Sequence, residues 1–465
     1  MNLNGLYCSD VQVIRRILGR PRELGARGVT QLVEITGRSV PAATGMSRYV
    51  LLGTLCAIPL SITIEDRETF ILHFFLFIPL SILIIFHGRR YWTGLTGIDG
   101  LVILYFCWAA MSFIVNLMAS AWGGDYGSIG PRITSVGATI LYWIIPFLIG
   151  RVVFNSDEAI RAFFDGLMIG ALATAIVLLA NYAYIWTTEW EMVRYAIGQR
   201  VVVGVCFLSM IFVFLYRLRL WAYLGVFLLW LVIALSETRA GLLQLGVGLL
   251  LVILIGQILR KRQKAALVFL ASVAVVVALY TGFAATRIEW MLDLVGSIGE
   301  GGAPSEEHST LIRLLVWDAV TSKVFQDLPS AILGFGQLGP AYVIEGFRYL
   351  NLDIERFSAH SEYLDQMTRG GIVYLALFLV LYVGVVALSF RVAKYSPLLG
   401  PAYRGVAIGL IGAAVYAIFH ESVRYPWFGV MFWILVGGLS NFWGRVRKTR
   451  RIREVAYNVP SVRSA

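Results

Sequence analysis

The residues able to carry chemistry stand in a few short, separated segments. Ser236-Glu237-Thr238-Arg239-Ala240-Gly241 leads into an apolar run and puts Arg239 at the start of a helix. Ile312-Arg313-Leu314-Leu315-Val316-Trp317 follows, with Arg313 and Trp317 four apart and so on one helical face. Then comes Ala359-His360-Ser361-Glu362-Tyr363-Leu364, where Ser358 is placed to cap a helix carrying His360, Tyr363, Leu364 and Met367 on one face. Arginine keeps its charge at any working pH, and its planar fork of donors suits paired anionic oxygens. A histidine at a helix N-terminus is biased toward the neutral, proton-accepting imidazole. Each residue also has a plainer reading. Arg239 would pair with Glu237, Arg313 with Asp318 or a nearby glutamate, and His360 would be a satisfied capping residue.

Other candidate chemistry is weaker. Gly334, Gly336 and Gly339 spell GxGxxG, but no βαβ unit surrounds them, so a tight turn is the better reading. The four cysteines, Cys8, Cys56, Cys107 and Cys206, give neither a disulfide framework nor a zinc spacing. No metal-ligand cluster is evident, and no cofactor is expected.

The elements that must position these residues are helices in a membrane. The chain has 465 residues, 58% hydrophobic and 14% charged, far from the balance of soluble domains. Spans of about 20 apolar residues fall near 49–64, 69–86, 98–118, 133–154, 160–186, 198–216, 219–236, 239–259, 265–285, 366–390, 405–420 and 426–443. The expected fold is all-α, a polytopic integral membrane helical bundle of about 12 transmembrane helices. It divides into a basic arm (1–48), the first nine spans (49–285), a long loop containing short helices (286–357), three more spans (358–443) and a basic tail (444–465).

Charge orients the bundle. Most of the 39 Lys and Arg fall in the arm, the tail and alternate short loops, such as Arg89 and Arg90, or Arg260, Lys261, Arg262 and Lys264. The positive-inside rule makes that side cytoplasmic, both termini included, and puts the long loop on the far side of the membrane. The net charge of +11 is then a matter of topology, and no nucleic-acid partner is expected. No apolar signal-peptide core precedes residue 49. Val11, Ile14, Ile17 and Leu18 among arginines fit either an amphipathic helix on anionic membrane lipids or a solvated tail.

The loop carries more acids than bases, so a basic residue that binds an anion there must be individually placed. Ser309 can cap a helix from Thr310 to about Phe325 that packs through Leu311, Leu314, Leu315 and Val320 and ends before Pro329. Arg194 and Arg200 flank the sixth span on the outer side, as donor guides or interfacial anchors. His420, Glu421 and Arg424 form an outer turn that either borders the site or is locally ion-paired.

The ordered set of the Arg239, Arg313, Gly334-Phe335-Gly336 and His360 segments, closed by Gly370-Gly371-Ile372, resembles the O-antigen ligase and polymerase family of bacterial envelope glycosyltransferases. The likeness covers about residues 200–390. One position departs from it: Ser361 follows the histidine where family members often carry Asn. The resemblance implies a metal-independent enzyme of the bacterial inner membrane that uses an undecaprenyl-diphosphate-linked glycan donor at its periplasmic face. The acceptor would be lipid A–core for a ligase, making lipopolysaccharide, or a growing glycan for a polymerase. Arg239 and Arg313 would stabilise the departing diphosphate, and His360 would take the proton of the acceptor hydroxyl. Glu362, Arg200 and Trp317 would bind substrate. Ligase is the preferred form, since twelve spans and one long loop fit it. A membrane transporter is the rival from another class, disfavoured because the spans read as nearly free of mid-membrane charge; a scaffold for envelope assembly is a third.

Overall fold

A computed structural model describes residues 46–57, 82, 85–86, 92–121, 129–188, 199–216, 220–236, 238–255, 261–280, 309–337, 360–396, 398–423 and 426–458. The expectations for the amphipathic arm, the second span, Ser358, Glu237, Arg194, Arg424 and most of the long loop lie outside these residues.

Among the described residues every regular element is helical. In chain order they are α1 (Met46–Ala57), α2 (Gly97–Ala121), α3 (Ile129–Thr139), a π-helical turn (Ile140–Ile144), α4 (Ile145–Val153), α5 (Asp157–Thr188), α6 (Gln199–Leu215) and α7 (Leu220–Leu235). There follow α8 (Arg239–Ile255), α9 (Lys261–Tyr280), α10 (Ser309–Val324), α11 (Leu328–Leu333), α12 (Glu362–Val392), α13 (Gly400–Phe419) and α14 (Pro426–Asn458). Among the described residues five stretches are long and apolar enough to cross a membrane: Gly97–Ala119, Ser135–Val153, Asp157–Ile185, Glu362–Val392 and Gly400–Phe419. Shorter apolar helices, including Val201–Leu215 and Trp221–Leu235, pack among them.

Glycines allow the close crossings, as small residues do where lipid offers no hydrophobic drive between helices. Gly166 and Gly170 of α5 lie against the α1 backbone at Val50 and Thr54, and Thr54 Oγ1 donates to Gly166 O at 3.2 Å. Gly150 of α4 meets the α14 backbone at Ile434, and Gly437 meets Phe147. The aromatic core between these layers stacks Tyr105 on Tyr374 at 4.2 Å and Trp143 on Trp433 at 5.8 Å.

The bundle has two chemically distinct ends. At one, Arg151 forms a buried ion pair with Asp99 and donates through Nη2 to Thr93 O at 2.8 Å. Arg445 donates to Asn155 O at 2.6 Å, and Arg391 and Arg447 lie over the Trp443 ring at the same end. From there α2 and α14 lead to the other end, where α12 begins. Helix α13 runs antiparallel to α6, with Gly405 against Met210 and Gly409 against Phe207, while Gly412 faces Gln244 of α8. Gly241 of α8 meets Val202, and Gln244 Nε2 donates to Val203 O at 3.2 Å. The first turns of α6 and α8 therefore share a layer with the last turn of α13.

Several local expectations change. His360 does not lie on a helix face: Ser361 is extended (φ −148°), His360 is left-handed (φ 46°), and α12 starts at Glu362. The tenth span is not a smooth continuation of that helix, because Gly370 and Gly371 (φ 72°) break it. Pro329 opens the short helix α11 behind an Asp327 cap whose carboxylate accepts from Ser330 N at 2.7 Å. On α10 the buried stripe is Val316, Val320 and Val324, whereas Leu314 is exposed. The last helix runs through the basic tail to Asn458. The buried charges Asp99, Arg151, Asp365 and Arg369 stand toward the ends of the apolar stretches that carry them.

Candidate active site

The site is built on the start of α12. Its first two turns are buried, and they present Glu362, Asp365, Gln366 and Arg369 at helical spacing along one side. Glu362 is fully buried, and both its oxygens are occupied. Oε1 accepts from Gln366 Nε2 at 2.6 Å, and Oε2 accepts from the backbone N–H groups of Ser422 (2.6 Å) and Val423 (2.9 Å). Gln366 Oε1 in turn accepts from Tyr105 OH at 2.7 Å. Tyr363 OH donates to Ala414 O at 2.7 Å, a second tie from α12 to α13.

Those bonds bring the turn after α13 onto the residues before α12. The His420 ring meets the His360 ring edge-to-face with centroids 5.8 Å apart, and its other neighbour is Tyr416, stacked at 4.9 Å. Arg313 of α10 is half-buried beside this trio, close enough to act on His420 electrostatically. Burial, then the Arg313 charge and His360, hold His420 down to about 3, so it is a neutral imidazole at physiological pH. Burial also lowers Arg313, but from so high a starting value that it remains a cation. The local arrangement is therefore one fixed positive charge facing two imidazoles.

Behind it sits a buried ion pair. Arg369 Nε donates to Asp365 Oδ2 at 2.7 Å, while Nη1 donates to Gln337 O (2.9 Å) and to Ser135 Oγ (2.5 Å). This pair fixes the turn at 334–337, where Gly334, Gly336 and Gln337 all have positive φ. That segment is a tight turn, as its glycines suggested; Gly339 lies outside the described residues.

The structure thus brings Arg313, His360 and Glu362 to one end of the bundle. Trp317 is half-buried one turn along α10 from Arg313. Arg239 is the first residue of α8 and Arg200 the second of α6, which places both helix positions in the layer of His420. The sequence left open whether the His420 turn borders the site; it gave no signal for the ring contact with His360, since sixty positions separate them and the Glu362 and Tyr363 contacts close the gap. It also missed Asp365 and Arg369. Their signal was available: a carboxylate and a guanidinium at i,i+4 within an otherwise apolar run. Among the described residues no group of three or more His, Cys, Asp or Glu side chains is arranged to hold a metal ion.

Fold and site together define a multi-pass, all-helical membrane protein with an arginine–histidine cluster at one end of its bundle. Residues 224–379 match the family model described as O-antigen ligase, so this segment is similar to that family. The match takes in Arg239, Arg313, His360 and Glu362 and ends before the His420 turn. No curated protein matches the chain.

Proposed function

We propose that the protein is an O-antigen ligase-type glycosyltransferase. It moves a glycan from undecaprenyl diphosphate to a sugar hydroxyl of lipid A–core at the periplasmic face of the inner membrane. The observation that carries this is the His360–His420 ring pair with the half-buried Arg313 acting on it electrostatically, at the end of the bundle remote from the Arg151, Arg391 and Arg445 layer. If the basic layer is cytoplasmic, the cluster lies outside, at the depth of a lipid-linked diphosphate.

The chemistry is a single displacement. The acceptor oxygen forms a bond to the anomeric carbon as the bond from that carbon to the diphosphate oxygen breaks, with inversion. The electron pair leaves with the diphosphate, and Arg313, with Arg239 from the start of α8, stabilises the charge that develops there. His360 takes the proton of the acceptor hydroxyl. Trp317 and Arg200 border the path of donor and acceptor. Holding both substrates in one groove supplies the proximity term.

A strain lacking the protein, complemented with wild type, His360→Ala or Arg313→Ala, tests the reading through its lipopolysaccharide. Loss of capped lipid A–core, with long chains retained on the lipid carrier, is the expected result for both variants. Accumulation of single repeat units would mark a polymerase instead. Wild-type capping by both variants, or solute flux through reconstituted protein indifferent to them, would overturn the enzyme assignment.

A further inference from the structure

We propose that His420 is a positioning residue for His360, and that Glu362 is the strut holding it there. This rests on the role of His360 given above and extends it to a turn beyond the matched family region. His360 precedes its helix in a left-handed conformation (φ 46°), a backbone state a non-glycine residue adopts only when its surroundings enforce it. Ser361, which follows it, makes no side-chain cap bond to the helix. The His420 ring packs edge-to-face on His360, and Tyr416, one turn back on the rigid α13, backs His420 from its other face.

Glu362 makes the arrangement tight. Two backbone N–H groups of the 420–423 segment donate to one carboxylate oxygen, and Gln366 Nε2 anchors the other. An acceptor oxygen shared by two adjacent backbone N–H groups fixes the turn in position and orientation. The carboxylate therefore ties the turn that carries His420 to the residue two positions after His360. With both carboxylate oxygens bonded inside the protein and no exposed surface, Glu362 acts through the turn rather than on a sugar.

His420 also suits the site in what it leaves out. A second cation beside Arg313 would disfavour protonation of His360 as it takes the acceptor proton. A neutral aromatic ring supports the base without that penalty. Among the described residues, Arg313 acts on His420 and Tyr416 stacks on it, while Glu421 follows His420 and Glu362 stands two positions after His360 in the chain.

The test separates this from the transfer reaction. Purified full-length protein in nanodiscs is treated with diethyl pyrocarbonate between pH 5 and 8, and modification of the His360 peptide is followed by mass spectrometry. Wild type, His420→Phe, His420→Ala and Glu362→Gln are compared. His420→Ala should free the His360 ring, raising its modification rate at pH 8 at least threefold and lowering glycan transfer about tenfold. His420→Phe, which keeps an aromatic wall without a titrating nitrogen, should restore both toward wild type with an unchanged pH midpoint. Glu362→Gln should raise the rate as well, because one acceptor oxygen becomes a donor. A folded His420→Ala or Glu362→Gln protein with wild-type His360 reactivity would overturn the proposal. So would a folded His420→Phe protein that behaves like alanine. If wild type transfers no glycan, the function proposed above fails while the labelling result still decides this one.

Discussion

Replacing Asp365 by alanine should be among the most damaging single changes in the chain. Asp365 and Arg369 lie one helical turn apart, with side-chain exposures of 0% and 2% and a contact of 2.7 Å. Without the carboxylate the guanidinium keeps its neutral partners, Gln337 O and Ser135 Oγ, but its charge is uncompensated. Its Nη2 is already buried without a hydrogen-bond partner among the described residues, so no nearby group stands ready to take over. Breaking a buried pair from one side costs about 3–5 kcal/mol. Arg369→Met should cost as much, because it strands the carboxylate instead. The double change Asp365→Leu with Arg369→Met removes both desolvation penalties. It forfeits the two bonds to Gln337 and Ser135, about 1 kcal/mol each, and should cost roughly 2 kcal/mol. The double variant is thus expected to be more stable than either single one, a coupling of several kcal/mol. Unfolding of the purified full chain by denaturant titration in mixed micelles measures all three. Additive losses, or an Asp365→Ala protein within about 1 kcal/mol of wild type, would refute the electrostatic account of this joint.

Gly371→Ala should destabilise by more than about 1 kcal/mol in the same assay, because φ is 72° and the added Cβ would strike the Ile332 carbonyl. Arg313→Ala should lower the glycan transfer rate about 10²–10³-fold, and Arg313→Lys should recover only part of that, since lysine keeps the charge but loses the planar fork; equal rates for the lysine variant and wild type would count against a two-oxygen contact. His420 is held down to about 3 from an ordinary 6.5, so its contribution to stability is complete above about pH 6.5 and is lost as pH falls toward 3, when the unfolded chain takes the proton first. Between pH 7 and pH 5 wild type should lose about 2 kcal/mol more unfolding free energy than His420→Phe.

How much of this was legible in the sequence depends on the range of the interaction involved. Span positions follow from the length of apolar runs, and α2, α5, α6, α7 and α13 lie close to where those runs put them. Helix α10 was legible for the same reason, with Ser309 at its start. Local rules failed where two residues compete for one role. Ser358 and Ser361 are both serines ahead of the same helix, and tertiary contacts from His420 and Glu362 decide that the helix begins after the second. Charge did not stop α14, because Lys and Arg are good helix formers once a helix has left the bilayer. On α10 one expected packing residue, Val320, is buried and another, Leu314, is exposed: Leu314 and Val316 are equally apolar, and the position of the neighbouring α12 decides which is covered.

The two glycine motifs show what a pattern in sequence can encode without displaying it. Gly334-Phe335-Gly336 and Gly370-Gly371 read as separate weak signals, a turn and a helix irregularity. In the fold they are two halves of one joint. Breaking α12 at Gly370 and Gly371 releases carbonyls that the helix would otherwise satisfy, and at that depth an unpaired carbonyl costs several kcal/mol. The glycine turn supplies the donors: Phe335 N to Thr368 O at 2.8 Å and Gln337 N to Arg369 O at 3.1 Å. Helix α2 completes the set, with Trp108 Nε1 on Gly370 O at 2.8 Å and Ser112 Oγ on Arg369 O at 3.1 Å. A side chain on Gly334 would collide with the Gly370–Gly371 backbone, and one on Gly336 with Asn116, so the turn can approach only as glycine. The Asp365–Arg369 pair then clamps the same turn through Gln337 O. The kink, the turn and the ion pair thus fix where α12 starts, and with it where Glu362 and His360 stand relative to Arg313. Motifs a helical turn or more from His360 and Arg313 belong with the candidate site because they set its geometry.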